Sequence, residues 1–172
     1  MAIPEPPDLA DEVVRLRPWR RADASALTEA WSDPVVTGRL DVPDRRDLAD
    51  AELWIDGWES RRRAGLAVDL VVTEIPDESV RGEIGISHID PSRRAALVGW
   101  WLFAGARGRG LATRGVDLVA RWAFGSGWLD SLVAEIETDN ERSAGIADRC
   151  GFELLTERDG RRFHVLRNPQ AG

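Results

Sequence analysis

Gly99-Trp100-Trp101-Leu102-Phe103-Ala104-Gly105-Ala106-Arg107-Gly108-Arg109-Gly110-Leu111-Ala112 decides what this chain folds into. Leading into it, Ala95 to Phe103 is a nearly unbroken apolar run, which suits a strand buried on both faces. Leading out, Leu111 to Phe124 carries Leu111, Leu118, Val119 and Trp122 as an apolar stripe, and Asp117 and Arg121 form a favourable i,i+4 pair; this is an amphipathic helix. A strand therefore enters a glycine-rich loop that opens directly into a helix. The first amides of a helix lack internal partners, and its dipole adds partial positive charge there. Glycine lets a ligand approach the backbone closely, and together these features make a phosphate or pyrophosphate site. Two familiar phosphate loops are excluded. A Walker A loop needs Gly-Lys-Ser/Thr, and the chain has no lysine; a dinucleotide fingerprint needs Gly-x-Gly-x-x-Gly, and Gly108-x-Gly110 is followed by Thr113.

Working outward, Val13 to Trp19 alternates as a first strand, with Val14 and Leu16 opposite Arg15 and Arg17. Asp23 is the expected N-cap of a helix carrying Leu27, Ala30 and Trp31 and ended by Asp33-Pro34. Asp44 is the expected cap of a second helix, in which Leu48, Ala51, Ile55 and Trp58 repeat at helical spacing up to Gly65. Leu66 to Ile75 and Val80 to Ile89 follow as strands separated by Pro76-Asp77, and Asp90-Pro91 turns the chain into the apolar run. Beyond the long helix, Ser131 to Thr138 is a strand, and Thr138 with Glu141 can form a capping box for a short helix ending at Arg149, with Gly151 just past it. Phe152 to Arg167 reads as a terminal hairpin around Asp159-Gly160. The order predicts an α/β (α+β) domain: a central mixed, mostly antiparallel sheet of about seven strands flanked by about four helices. Residues 1–12, rich in proline and acids, are expected to form a flexible N-terminal arm, and 13–168 a single domain.

The composition narrows the chemistry. Among 172 residues, 43% are apolar and 31% charged, as in an ordinary globular domain, and no apolar stretch approaches the roughly 20 residues of a membrane helix. All 23 basic residues are arginines, against 30 acids, so the net charge of −7 argues against a nucleic-acid or membrane surface. With no lysine and no tyrosine, neither a lysine Schiff base nor a tyrosine acid can operate. One cysteine, Cys150, excludes an internal disulfide and a Cys-built zinc site, and two histidines, His88 and His164, leave little for a metal, so none is expected. These features fit a cytoplasmic protein.

Arg107-x-x-Gly110-x-Ala112 matches the R/Q-x-x-G-x-G/A signature of the GCN5-related N-acetyltransferases (GNAT). Trp101-Leu102 before it, Asn140-x-x-Ser143 and Cys150-Gly151-Phe152 after it, and Ser32-Asp33-Pro34-Val35-Val36 upstream resemble the RimJ/RimL branch of that family. The resemblance spans about residues 13–168, and the element order is that of the GNAT fold. It implies an N-acetyltransferase that carries an acetyl group from acetyl-CoA to a primary amine, either a protein N-terminus or a small molecule, by direct attack in a ternary complex. Under it, the amides around Arg107, Gly108, Arg109, Gly110, Leu111 and Ala112 hold the pyrophosphate of acetyl-CoA. Trp100, Trp101 and Leu102 lie along the pantetheine, and an N–H near Leu102 polarises the thioester carbonyl. Asn140 bonds the pantetheine arm, and Ser143 sits near the sulfur. Two departures stand out: Ala104 replaces the usual proline before the loop, and Ala147 occupies the position of the tyrosine acid many GNAT enzymes use, which leaves Ser143 as the candidate to protonate the thiolate. A homodimer is compatible with the family.

Acyl transfer to an amine also needs a group to take the amine's proton. Glu135, five residues before Asn140, matches a glutamate used as base in some ribosomal N-acetyltransferases. Glu137 shares its strand face, and Glu83 is an acid inside an otherwise apolar strand. Trp31, Trp54 and Trp58, on the two early helices, are candidates to line the acceptor pocket. His88, His164 and Cys150 read as structural residues. Two other readings stay open: a CoA-binding regulatory module without catalysis, and an enzyme using a larger acyl-CoA such as succinyl-CoA.

Overall fold

The alternation that marks the strands sorts side chains onto two faces of one sheet, and each face buries its apolar set under helices. The computed structural model describes residues 2–37, 44 and 46–171. Its strands are β1 (Leu9–Ala10), β2 (Val14–Pro18), β3 (Ala67–Glu74), β4 (Asp77–Asp90), β5 (Ala95–Leu102), β6 (Ser131–Glu137), β7 (Glu153–Arg158) and β8 (Arg161–Arg167). They form one sheet in the order β1-β2-β3-β4-β5-β6-β8-β7. Every pairing is antiparallel except that of β5 with β6.

The helices are α1 (Ala24–Ser32), α2 (Pro34–Thr37), α3 (Leu48–Asp56), α4 (Trp58–Ala64), α5 (Leu111–Gly125) and α6 (Glu141–Arg149). The stripe of α5 packs on Leu16, Val72, Ile84, Val98 and Leu132 to make the main core. On the other face, Trp19, Leu27, Trp31, Ile55, Val71 and Trp101 form a second cluster beneath α1 and α3.

Several boundaries differ from expectation, each for a local reason. The eighth strand is β1, inside the segment expected as a loose arm: Leu9 pairs opposite Leu16, and Ile3 is fully buried, exchanging main-chain and side-chain bonds with Arg62. Two apolar residues among prolines and acids suffice to dock this segment. Asp47 rather than Asp44 caps the second helix, in a reciprocal box with Asp50. That helix is two: Gly57 ends α3, and Trp58 starts α4. Asn140 rather than Thr138 caps α6, its side chain accepting the Ser143 N–H. Asp23 precedes α1 but spends its carboxylate on Arg17 and the Arg20 amide instead of on the helix. In β5 one face is closed throughout and the other only in part, buried at Trp101 and open at Gly99.

Gly82 is where β4 and β5 come closest. A Cβ there would lie 2.1 Å from the Trp101 carbonyl oxygen and 2.8 Å from Leu102 Cα, both backbone atoms that cannot step aside. Gly82→Ala should therefore lower stability by about 1–3 kcal/mol through overpacking. Urea unfolding reads this directly, and an unchanged midpoint would show that β5 gives way freely.

Candidate functional site

β5 and β6 run side by side for only three residue pairs, Ala95 with Ser131 through Leu97 with Val133. Beyond them the strands diverge, and each leaves a row of main-chain groups facing the gap. The Phe103 N–H donates to the Arg81 carbonyl, which fixes the alternation of the β4–β5 ladder. Trp101 and Gly99 consequently point their main-chain groups at β4, while those of Trp100 and Leu102 point toward β6. Likewise the Thr138 N–H donates to the Gly160 carbonyl, so Ala134 and Ile136 bond β8 and the main chain of Glu135 faces β5. The gap is the mouth of a cavity of about 1280 Å³ walled by Val98 to Leu102 on one side and Ala134 to Glu137 on the other.

The floor of the cavity at its α5 end is the glycine loop. Gly108 (φ 74°) and Gly110 (φ 79°) are both left-handed, a conformation that costs an L-residue about 1–2 kcal/mol. A Cβ on either would meet nothing within 4 Å, so the loop is pressed against no other part of the chain and opens into the cavity. None of the amides from Gly108 to Thr113 donates to another described residue. They form a nest of donors at the positive end of α5. Arg107 braces the loop: its Nε donates to the Leu102 carbonyl at 2.9 Å, and its guanidinium pairs with Asp33 at 3.5 Å. Arg109 turns away to pair with Glu74, leaving its amide for the nest. Arg142 and Arg149 of α6 line the same end, so three arginines with Arg107 surround the donors.

Asn140 and Ser143 line the opposite wall and hold each other: the Asn140 amide donates to Ser143 Oγ at 3.0 Å while its oxygen accepts the Ser143 N–H. Glu135 stands at the divergence point, its carboxylate 2.7 Å from the Arg161 guanidinium, which also lines the cavity. Glu137 lies one turn of the pleat further along, with its carbonyl accepting the Asn140 N–H. Val35 and Val36 of α2 close the cavity from the α1 side.

Glu83 lies outside the cavity wall, behind Trp101. Its carboxylate accepts the Trp19 indole N–H at 2.7 Å and the Trp101 indole N–H at 3.2 Å. Burial first, then the nearby Asp69 charge, pushes its pKa up to about 8. Asp69 is itself raised by burial, with Arg61 opposing at 3.4 Å. Trp31 and Trp54 meet edge to face at 6.3 Å within the second cluster. Neither lines the cavity, nor does Trp58, which packs against the main core with its indole N–H donating to the Asp69 carbonyl. The aromatics that reach the cavity are Trp100 and Trp101, the latter backed by Trp19 and Phe103.

Elsewhere, burial pushes the Cys150 thiol up to about 11, which keeps it protonated and unreactive. His164 is buried at 4% exposure, and His88 bonds Ser87 on the surface. Sequence reasoning did not place Trp19, Asp69, Arg142 or Arg149 at the site, and it quoted Val35 and Val36 only within a family motif. For Arg142 and Arg149 a signal was at hand, their i,i+7 spacing on the helix capped by Asn140.

Comparison with known proteins agrees with this architecture. The family model described as an acetyltransferase (GNAT) domain matches residues 14–153. An uncharacterized N-acetyltransferase, p20, from Bacillus licheniformis is 26% identical over 145 residues, covering 84% of this chain and 82% of that one. The ribosomal-protein-serine acetyltransferase of Escherichia coli K12 is 28% identical over 78 residues, 45% of this chain and 44% of its own. Among solved structures, the ribosomal L7/L12 alpha-N-protein acetyltransferase RimL in complex with coenzyme A superposes with a TM-score of 0.79 at 18% identity, covering 91% and 95% of the two chains. The microcin C7 self-immunity acetyltransferase MccE, solved with acetyl-CoA and AMP, gives 0.77 at 20% identity, covering 92% and 94%. Among the described residues no helix is long and apolar enough to cross a membrane.

Proposed function

The chain belongs to the acetyltransferase (GNAT) domain family, and from that membership we propose that it transfers the acetyl group of acetyl-CoA to a primary amine by direct attack in a ternary complex. One observation carries the reading: the β5–β6 gap, where the main chains of Trp100 and Glu135 face each other, and the unpaired amides of the Gly108–Thr113 nest, reached through the short turn at Ala104–Ala106, line one cavity. A ligand with a polyamide arm and an anionic head suits that arrangement. Acetyl-CoA has this form, its pantetheine amides matching a strand-like wall and its pyrophosphate matching the nest.

The residues take roles accordingly. Gly108 to Ala112 bind the pyrophosphate through their amides, with Arg107, Arg142 and Arg149 adding charge. The Leu102 N–H, aimed into the gap, donates to the thioester carbonyl and stabilises the oxyanion that forms on attack. Asn140 bonds the pantetheine arm and orients Ser143, whose hydroxyl delivers a proton to the leaving thiolate. Glu135, on the far wall and on the same sheet face as Trp101, takes the proton from the attacking amine. Attack is direct because no activated nucleophile lines the cavity; Cys150 is outside it and kept protonated. The names of the E. coli relative and of RimL support a protein N-terminus as acceptor, and the open mouth between α2 and β8 also suits a small amine.

Thermal unfolding with acetyl-CoA, followed by an amine screen that reads free thiol, tests this reading. At 100 times its dissociation constant the ligand should add about 2.7 kcal/mol and clearly raise Tm. A shift with turnover supports the proposal. A shift without turnover across peptides, polyamines and amino acids would instead mark a binding module, and a preference for succinyl-CoA would reassign the acyl group. No shift at millimolar acetyl-CoA would end the reading.

A further inference from the structure

Glu83 is a half-buried acid that the proposed chemistry does not use, yet two tryptophans from different elements converge on it. We propose that Glu83 is a positioning residue: its carboxylate, held between the Trp19 and Trp101 indole N–H groups, fixes the face that Trp101 presents to the acceptor side of the cavity. The inference rests on the reading of that cavity as the acyl-transfer site.

The geometry gives the tether its purpose. On β4 and β5 the residues flanking this pair on the same face are Gly85 and Gly99, which lie directly opposite each other. Gly99 is exposed, and a Cβ on it would meet nothing within 4 Å. Next to Trp101 on its own strand the sheet face is therefore bare main chain at Gly99, while the Asp69 carboxylate stands over Gly85. Trp101 is buttressed from the far side by Phe103, edge to face at 5.2 Å, and by Trp19, stacked at 6.5 Å. Toward Gly99 no described side chain stands in the way, so on that side packing alone does not stop the indole from folding over the bare main chain. The bond to Glu83 does. With the ring held back, the strip from Gly99 to the Glu135 wall stays clear as the surface on which the acceptor lies.

Charged groups around Glu83 are arranged to keep the tether in place. From β3, Asp69 sits with its carboxylate over Gly85, where a Cβ would come within 3.1 Å of it. From α4, Arg61 pairs with Asp69 at 3.4 Å and stacks on Trp54 at 4.1 Å, so its charge is directed at Asp69 rather than at Glu83. The indole donors thus face a carboxyl whose other neighbours are apolar rings and one ion pair. A carboxyl in either protonation state still offers an acceptor oxygen to each indole, whereas a glutamine offers one oxygen and an NH2 group that cannot accept.

Glu83→Gln tests the assignment, with Trp101→Phe as the second variant because it keeps an aromatic side chain, though a smaller one, and removes the indole N–H. Two-dimensional 15N NMR of the indole N–H groups is the first readout. In the wild type the Trp19 and Trp101 signals should titrate together as Glu83 ionises, and in Glu83→Gln that joint titration should vanish. Kinetics with the amine of highest turnover from the screen are the second. Both variants should raise the acceptor KM about tenfold, with kcat within about twofold, and the double variant should be no worse than either single one, because they break the same bond. A collapse of kcat at unchanged KM in Glu83→Gln would make Glu83 the proton acceptor and overturn the proposal. So would unchanged kinetics in both variants, or indole signals indifferent to Glu83. If no amine turns over, the acetyl-transfer reading fails instead, while the indole titration still reports whether the tether exists.

Discussion

Gly110→Glu should abolish acetyl-CoA binding while leaving the protein folded. Two effects of different size separate at this position. Gly110 is left-handed at the start of α5, so any L-residue there costs about 1–2 kcal/mol, but a Cβ meets open space and nothing clashes. The glutamate carboxylate, by contrast, would stand in the nest that the pyrophosphate needs. Two like charges about 4 Å apart near a protein surface repel by about 4 kcal/mol, close to a thousandfold in affinity. Gly110→Asn is the control, since asparagine tolerates the left-handed region and brings no charge. Isothermal titration should give near-wild-type affinity for the asparagine variant and no measurable binding for the glutamate one. Equal loss in both would trace the effect to the backbone, and full binding in both would remove the pyrophosphate from this loop.

Glu135→Gln should cut kcat by about 10²–10⁴, the usual worth of a positioned general base, and leave the affinity for acetyl-CoA unchanged. The residual rate should climb with pH, because a free amine needs no base to unload its proton. The Arg161 partner makes the test sharper. Arg161 is half exposed and bonded to Glu135 at 2.7 Å, so Arg161→Ala frees the carboxylate without removing it. If Glu135 accepts the proton, Arg161→Ala changes the rate far less than Glu135→Gln does. Two equally damaged variants would mean that the ion pair, rather than the carboxylate, matters.

How much of this was legible before the structure depended on the range over which each feature is encoded. The strand, loop and helix from Ala95 to Phe124 are set by neighbours a few residues apart, and they formed as expected, with Gly108 and Gly110 in the conformations only glycine adopts readily. The Asp159-Gly160 hairpin followed for the same reason. Helix caps were less secure, because Asp44 competes with Asp47, and Thr138 with Asn140, at equal chemical merit; packing of the helix decides between them. Trp58 illustrates a different limit. Its spacing from Trp54 matches one helical face, but the helix is interrupted at Gly57, and Trp54 packs with the second cluster while Trp58 packs with the main core. The divergence of β5 from β6 was invisible, since it depends on how two strands 36 residues apart are registered by everything between them. The Glu83 cluster was hidden likewise: Trp19, Asp69, Glu83 and Trp101 come from β3, β4, β5 and the end of β2, and only the sheet brings them together.

The short seam between β5 and β6 has a mechanical meaning. An eight-stranded sheet joined across its middle by three residue pairs is closer to two plates than to one: β1 to β5 on one side, β6, β8 and β7 on the other. α5 is the strap that spans them, tied to the first plate by Leu111 and Val116 and leading into the second. A ligand bonded to both rims of the gap would add ties to those three pairs and to the core that the two plates share under α5, so hydrogen exchange along β5 and β6 is expected to slow together when it binds.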